Sequence, residues 1–302
     1  MSEATLIGFA ILMDGLVYAA WLFIVAVGLS LIFGVMKILN VAHGSFYAFG
    51  AYGAATLVGL YFDAGLPVVG GFAAMLLAAV LIGILLGAIL ERGLLRWVYG
   101  RDEVIVVLVT YAVFLILEDV LRLIWGADSH FAYQPYVALG NVVAGDMIIS
   151  NYDLALIGLA GLIALTAWWG LNRTRWGKLL VAVIHDREMA TALGINVTLV
   201  FAITFLIGAV LGAFGGAFTA PKISVTPGLG VEVIVIAFAV VAIGGLGSIP
   251  GALVGALIVG LCRAAAVHLF PQGELFVVYA VMALVLAVRP EGLFSRVQAR
   301  RI

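Results

Sequence analysis

The sequence predicts an all-α protein, a polytopic transmembrane helical bundle of about eight to ten spans with broken or re-entrant segments. Three observations carry that prediction. Of 302 residues, 65% are hydrophobic and only 10% charged, with a mean hydropathy of +1.26; a soluble domain is nearer half apolar and a quarter charged. Apolar runs recur along the whole length. Between them stand two polar joints, 38–53 and 220–231, broken by glycine or proline. At membrane depth such polar groups are costly unless they face protein, water or a ligand.

Taking a span as about 20 apolar residues, the candidates in order are 8–34, 46–62, 67–90, 104–125, 148–171, 198–219, 232–246, 251–268 and 275–288. The first is long enough to tilt or kink, and the seventh and ninth are short. No linker rich in proline or serine interrupts them, so residues 1–302 read as a single transmembrane domain. The start, Met-Ser-Glu-Ala, lacks the basic residues of a cleavable signal peptide, and the first span is expected to act as its own insertion signal.

Net charge is −1 and indicates no partner by itself; no nucleic acid is expected. The distribution of charge is more informative. Arg92, Arg96 and Arg101 lie in 91–103, and Arg173, Arg175, Lys178 and Arg187 in 172–197. Arg289, Arg296, Arg300 and Arg301 lie in the tail, whereas 126–153 holds Asp128, Asp146 and Asp153 with no lysine or arginine. Short basic loops stay in the cytoplasm. The expected orientation therefore puts the C-terminus inside and the N-terminus outside, which nine crossings satisfy.

The first joint, Ile38 to Tyr52, is the stretch around which the chain is organised. It carries Asn40, His43, Ser45 and Tyr47, with Gly44, Gly50 and Gly53 permitting close backbone approach or a helix break. A polar, glycine-interrupted joint at this depth is where transporters place a path. His43 reads either as a hydrogen-bonded interior histidine or as part of a gate, and its charge can change near neutral pH. The second joint, with Lys222 and Glu232 at its flanks, is a faint echo of the first in the other half of the chain.

Two ladders of small residues follow, Gly208, Gly212 and Gly216, then Gly247, Gly251 and Gly255. Residues four apart share a helix face and make a flat stripe for close packing. Gly244, Gly245, Gly247, Pro250 and Gly251 cannot continue a helix and predict a tight cytoplasmic hairpin. Cys262 is the only cysteine, which excludes an internal disulfide. His43, His130, His185 and His268 are scattered, and no metal-binding, nucleophile-elbow or phosphate-loop motif is present. The chain is therefore expected to bind no metal and no ATP of its own and to be no enzyme. Asp14 stands alone in the first span, while Glu118 and Arg122, four apart beside Asp119, can pair along the fourth. In the 172–197 loop, Asp186 to Leu193 reads as a short helix, with an acidic first turn that suits the helix dipole and Gly194 at the C′ position.

The run Asn40-Val-Ala-His-Gly-Ser-Phe-Tyr-Ala-Phe-Gly-Ala-Tyr52 resembles the first-span signature of the branched-chain amino acid ABC transporter permeases, in particular the LivH-type subunit. Glu188-Met-Ala-Thr-Ala-Leu-Gly194-Ile-Asn resembles that family's cytoplasmic "EAA…G" loop. Gly244 to Gly255 and Arg289-Pro-Glu-Gly-Leu-Phe294 are similar to its C-terminal signatures. Ser45 and Phe46 stand where many members carry an acidic residue, which leaves the solute open among branched-chain and other amino acids, urea, amides and aromatic acids. The resemblance implies one permease subunit of an importer in the bacterial cytoplasmic (inner) membrane. Its implied partners are a second, LivM-like permease, two cytoplasmic ABC ATPases that use ATP and Mg, and an extracytoplasmic solute-binding protein. Asp186, Arg187, Glu188, Ala190 and Gly194 would then form the helix that couples to an ATPase. The competing reading is a stand-alone secondary transporter or channel coupled to protons through His43 or Asp14. An intramembrane enzyme lacks any supporting constellation.

Overall fold

The computed structural model describes residues 3–144 and 147–294. Asp146, Arg296, Arg300 and Arg301, used above to orient the chain, lie outside them, as does the C-terminus itself. The chain enters on a long helix, α1 (Glu3–Met36), crosses the joint at 37–42, and continues in α2 (His43–Asp63) and α3 (Val69–Leu90). A π-helical turn, Glu91–Leu95, and a short α4 (Arg96–Val98) prolong α3 before α5 (Glu103–Trp125). The connection that follows holds α6 (Gln134–Ala138) and an antiparallel hairpin, β1 (Asn141–Ala144) and β2 (Met147–Ser150). Then come α7 (Asn151–Arg173), α8 (Arg175–His185), α9 (Arg187–Ala192), α10 (Val197–Thr219), α11 (Leu229–Gly244), α12 (Ile249–Leu269) and α13 (Glu274–Val288).

Every expected span falls on a helix, but the helices are not equivalent. Among the described residues, six are long and apolar enough to cross a membrane: Ala4–Met36, Val69–Val98, Glu103–Trp125, Asn151–Arg173, Val197–Lys222 and Ile249–Leu269. The helix α2 has the length, with 21 residues, but carries the polar joint. With 16 and 15 residues, α11 and α13 rise only about 24 and 22 Å, short of a hydrocarbon core about 30 Å thick. The fifth span begins later than expected, because 148–150 belong to β2. Helix starts are marked by side-chain caps that satisfy otherwise orphaned N–H groups. Asp102 accepts from Val104 N, Ser150 from Tyr152 N, Asn196 from Leu199 N and Ser248 from Gly251 N.

The core is built around α1 and α2. From His43 to Ala55 every residue of α2 is buried, so no face of that stretch meets lipid or water. Only glycine lets neighbours close on it from all sides. A Cβ at Gly50 would collide with the Ala213 backbone of α10, and one at Gly216 with the carbonyl of Tyr47. In the first ladder, Gly208 packs on Gly28 and Ile32 of α1, Gly212 on His43 and Phe46, and Gly216 on α2. The second ladder is split. Gly251 and Gly255 face α11, whereas Gly247 has a positive φ of 80° in the hairpin and packs on Gly34 of α1. The hairpin at 244–251 is tied to the far end of the chain: Leu293 N donates to Ile243 O and Phe294 N to Gly244 O, both at 2.9 Å, capping the last carbonyls of α11.

Replacing Gly216 with valine forces the α2 and α10 backbones apart. Gly216→Val is expected to destabilise the detergent-solubilised protein by about 3 kcal/mol. Gly158→Ala, where a Cβ meets open space, should hold or raise the thermal midpoint in the same assay.

Candidate functional site

The joint between α1 and α2 closes with Lys37 at φ 56°, whose N–H returns to Phe33 O at 2.9 Å. The chain then folds back into the bundle rather than leaving it. Thr110 of α5 clasps the turn: its hydroxyl accepts from Val41 N at 3.2 Å and lies 3.4 Å from Leu39 O and 3.0 Å from Val107 O. Asn40 is fully buried beside Ala42, Leu90, Leu95, Thr110 and Val113, and neither its amide nitrogen nor its amide oxygen has a partner.

His43 opens α2. Its Nε2–H donates to Val25 O of α1 at 3.1 Å, which fixes the neutral tautomer and leaves Nδ1 as an unpartnered acceptor. The ring fits a slot that exists because two facing positions lack side chains. A Cβ at Gly28 would stand 3.0 Å from its Cε1, and one at Gly212 would stand 3.1 Å away. Phe46 meets the imidazole edge to face, and Ser45 and Tyr47 are buried in the next turn. All four residues singled out for a path are therefore enclosed in packed protein within the subunit. Ser30, Ser45 and Tyr52 add further buried hydroxyls without partners.

The two polar joints meet. A Cβ on Gly44 would lie 2.5 Å from Gly230 O, and one on Gly230 would lie 2.9 Å from Gly44 O. Gly230 stands 14 residues before the end of α11, about 21 Å along the helix axis. Gly228, with φ 91°, precedes α11, and its N–H donates to Glu118 Oε1 of α5 at 2.6 Å. Glu118 is buried and lies 3.8 Å from the exposed Arg122, so the pair expected along α5 also holds the start of α11. Val225 and His130 exchange backbone bonds of 2.9 and 3.0 Å, and Lys222 pairs with Asp153.

On the opposite side of the bundle, α9 is capped at both ends. Asp186 accepts from Met189 N at 2.8 Å. Gly194 has φ 82°, with Gly194 N bonded to Thr191 O and Ile195 N to Ala190 O, both at 3.0 Å. That pair of bonds is the Schellman arrangement. Ala190 is the one residue of α9 that is buried, whereas Arg187, Glu188, Met189 and the following Leu193 are exposed. The Arg187 guanidinium lies over Phe201 at 5.1 Å, Phe201 meets Tyr99 edge to face, and Tyr99 donates to Glu91 at 3.3 Å. Burial, then the Glu91 carboxylate, pushes the Tyr99 phenol well above its usual range, so it stays the protonated donor. The short helix is thereby joined to α10 and to the π-helical end of α3.

Reading the sequence alone passes over Thr110, the Glu118–Gly228 bond and the partner of Asp14, which is His268 at 2.7 Å. It also passes over Arg263, which pairs with Glu274, although a charge within an apolar run is itself a signal. Removing the Glu118 carboxylate strands Gly228 N. Glu118→Ala is expected to cost about 1–3 kcal/mol in thermal unfolding of the solubilised protein; Glu118→Gln, which keeps an acceptor, should cost less.

A family model described as branched-chain amino acid transport system, permease component, matches residues 11–286. The high-affinity branched-chain amino acid transport system permease protein BraD of Pseudomonas aeruginosa is 29% identical over 302 residues, covering 96% of this chain and 97% of that one. The corresponding LivH of Escherichia coli is 27% identical over 321 residues, covering 100% of both chains. A solved chain of PsaBC from Streptococcus pneumoniae, in complex with Fab, overlays with a TM-score of 0.48 at 16% identity, covering 93% of this chain and 92% of that one.

Proposed function

This chain belongs to the family of branched-chain amino acid transport system permease components, and from that premise we propose that it forms half of the membrane path of an ATP-driven amino-acid importer. The observation that carries the reading is α9. A six-residue helix capped at both ends, exposing Met189 and Leu193 around the buried Ala190, has the shape of a plug for a groove on a cytoplasmic partner. The partner is an ABC ATPase, which supplies the hydrolysis this chain does not perform. Asp186, Arg187, Glu188, Ala190 and Gly194 make the plug, and the contacts from Arg187 through Phe201 and Tyr99 to Glu91 carry its displacement into α10 and α3.

The remaining assembly follows from the same premise. A second permease completes the path, a second ATPase seats on it, and a solute-binding protein outside the membrane delivers a branched-chain amino acid. In this reading α9 lies in the cytoplasm. The hairpin at 244–251, the capping segment at 292–294, the C-terminal end of α1 and the π-helical end of α3 gather on the side of α9. That side also carries Arg92, Arg96, Arg101, Arg173, Arg175 and Lys178, as short cytoplasmic loops do.

The test is coupling in the reconstituted complex. Gly194→Pro removes the N–H that closes the cap of α9, and Glu188→Arg reverses an exposed charge on it. Both variants should insert normally yet lose ATPase stimulation by the loaded binding protein, by about tenfold or more for a lost charge-assisted contact. Normal ATP-driven uptake in both would remove the coupling role from this helix.

A further inference from the structure

One basic and two acidic side chains stand at one depth in the outer half of the bundle. Arg263 is 14 residues from the start of α12, Glu274 is 14 residues from the end of α13, and Glu232 is 12 residues from the end of α11. Each therefore lies about 18–21 Å along its helix from the side that carries α9. A hydrocarbon core is about 30 Å thick, so all three fall inside it. Helices α11 and α13 begin at this level, about 6–8 Å short of the length needed to cross such a core.

The geometry is more than a staple. Arg263 pairs with Glu274 and lies 3.9 Å over the ring of Tyr18 from α1. The pair is open, with side-chain exposures of 27% and 30%, and the Arg263 Nε is a buried donor with no partner. The Glu232 carboxylate is exposed and takes part in no hydrogen bond or ion pair among the described residues. Helices α11, α12 and α13 pack on one another, and α1, which carries Tyr18, packs on α11 and α12. Tyr18 and Trp21 meet edge to face at 4.9 Å, and Trp21 reaches Tyr47 at 6.0 Å. An unpaired carboxylate at this depth costs several kcal/mol against lipid, so such residues face water or protein.

We propose that Arg263, Glu274 and Glu232, with the ring of Tyr18, form an outer contact site for the zwitterionic head group of the transported amino acid. The α-carboxylate takes the guanidinium N–H groups that Glu274 leaves open, and the α-ammonium lies between Glu232 and Glu274. One cation and two acids match a solute that carries both charges on one carbon. This assignment rests on the importer reading above.

The experiment measures leucine carried per ATP hydrolysed in the complete complex, reconstituted with saturating loaded binding protein. Reversing the pair, Arg263→Glu with Glu274→Arg, restores a structural link between α12 and α13 but puts the wrong charge at each end of the solute. Assembly and thermal midpoint should recover relative to Arg263→Glu alone, while leucine per ATP stays about tenfold down. Recovery of that ratio in the reversed pair would make the ion pair structural and overturn the site. If the reversed pair does not assemble, Glu232→Gln decides, since this residue holds no structural pair; a fall of about tenfold supports the site, and an unchanged ratio overturns it. Failure of the importer reading is distinct, because the unmodified complex would then show no ATP-dependent leucine uptake.

Discussion

The structure depends on two backbones touching near the middle of the bundle, Gly44 at the start of α2 and Gly230 at the start of α11. No side chain fits between them. That contact requires α2 to enter the interior immediately after the joint, which the αL conformation of Lys37 and the Thr110 clasp bring about. It also requires α11 to begin at this depth, held by Glu118 at Gly228. The rest of the glycine pattern follows. With α2 enclosed on every side, Gly28, Gly50, Gly212 and Gly216 are the positions at which α1 and α10 can close around it.

The same enclosure leaves polar atoms unsatisfied. Asn40, the Nδ1 of His43 and the hydroxyls of Ser30, Ser45 and Tyr52 are buried without partners. Each such atom costs about 1–3 kcal/mol, and Asn40, His43 and Ser45 bring four of them into one short joint. Packing by glycine offsets the cost, because small residues bring backbones into contact and gain dispersion along whole helices. The two ends of the bundle behave differently. On one, α9 is capped at both ends and tied to α3 and α10; on the other, the short helices α11 and α13 begin with Glu232 and Glu274 in their first turns.

Much of this architecture is legible in the sequence, for definite reasons. Apolar runs report spans because the bilayer demands them, and the short seventh and ninth runs are the short helices α11 and α13. Gly194 announces the C-terminal cap of α9, since capping chemistry is local, whereas Asp186, read as the first residue of the helix, is its N-cap. What the sequence hides is pairing across distance. Glu118 and Gly228 are 110 residues apart, and Asp14 and His268 are 254 apart; no local pattern joins them. The polar joints stand out as joints, but nothing in either run says that the two touch. Nor does Asn40-Val-Ala-His43 reveal that these side chains end in packed protein within the subunit.

A stand-alone carrier and an ATP-driven importer use these elements differently. A proton-coupled carrier would work through His43 or Asp14, yet His43 is enclosed between Gly28 and Gly212 and Asp14 is already bonded to His268. The importer instead needs α9 to receive force from outside the chain. The most direct measurement is leucine uptake into proteoliposomes holding the purified chain alone, compared with the chain together with the permease and ATPases that co-purify with it. The account predicts no uptake by the chain alone and uptake by the assembly only when ATP is supplied. Uptake by the chain alone, driven by a proton gradient and indifferent to ATP, would contradict it.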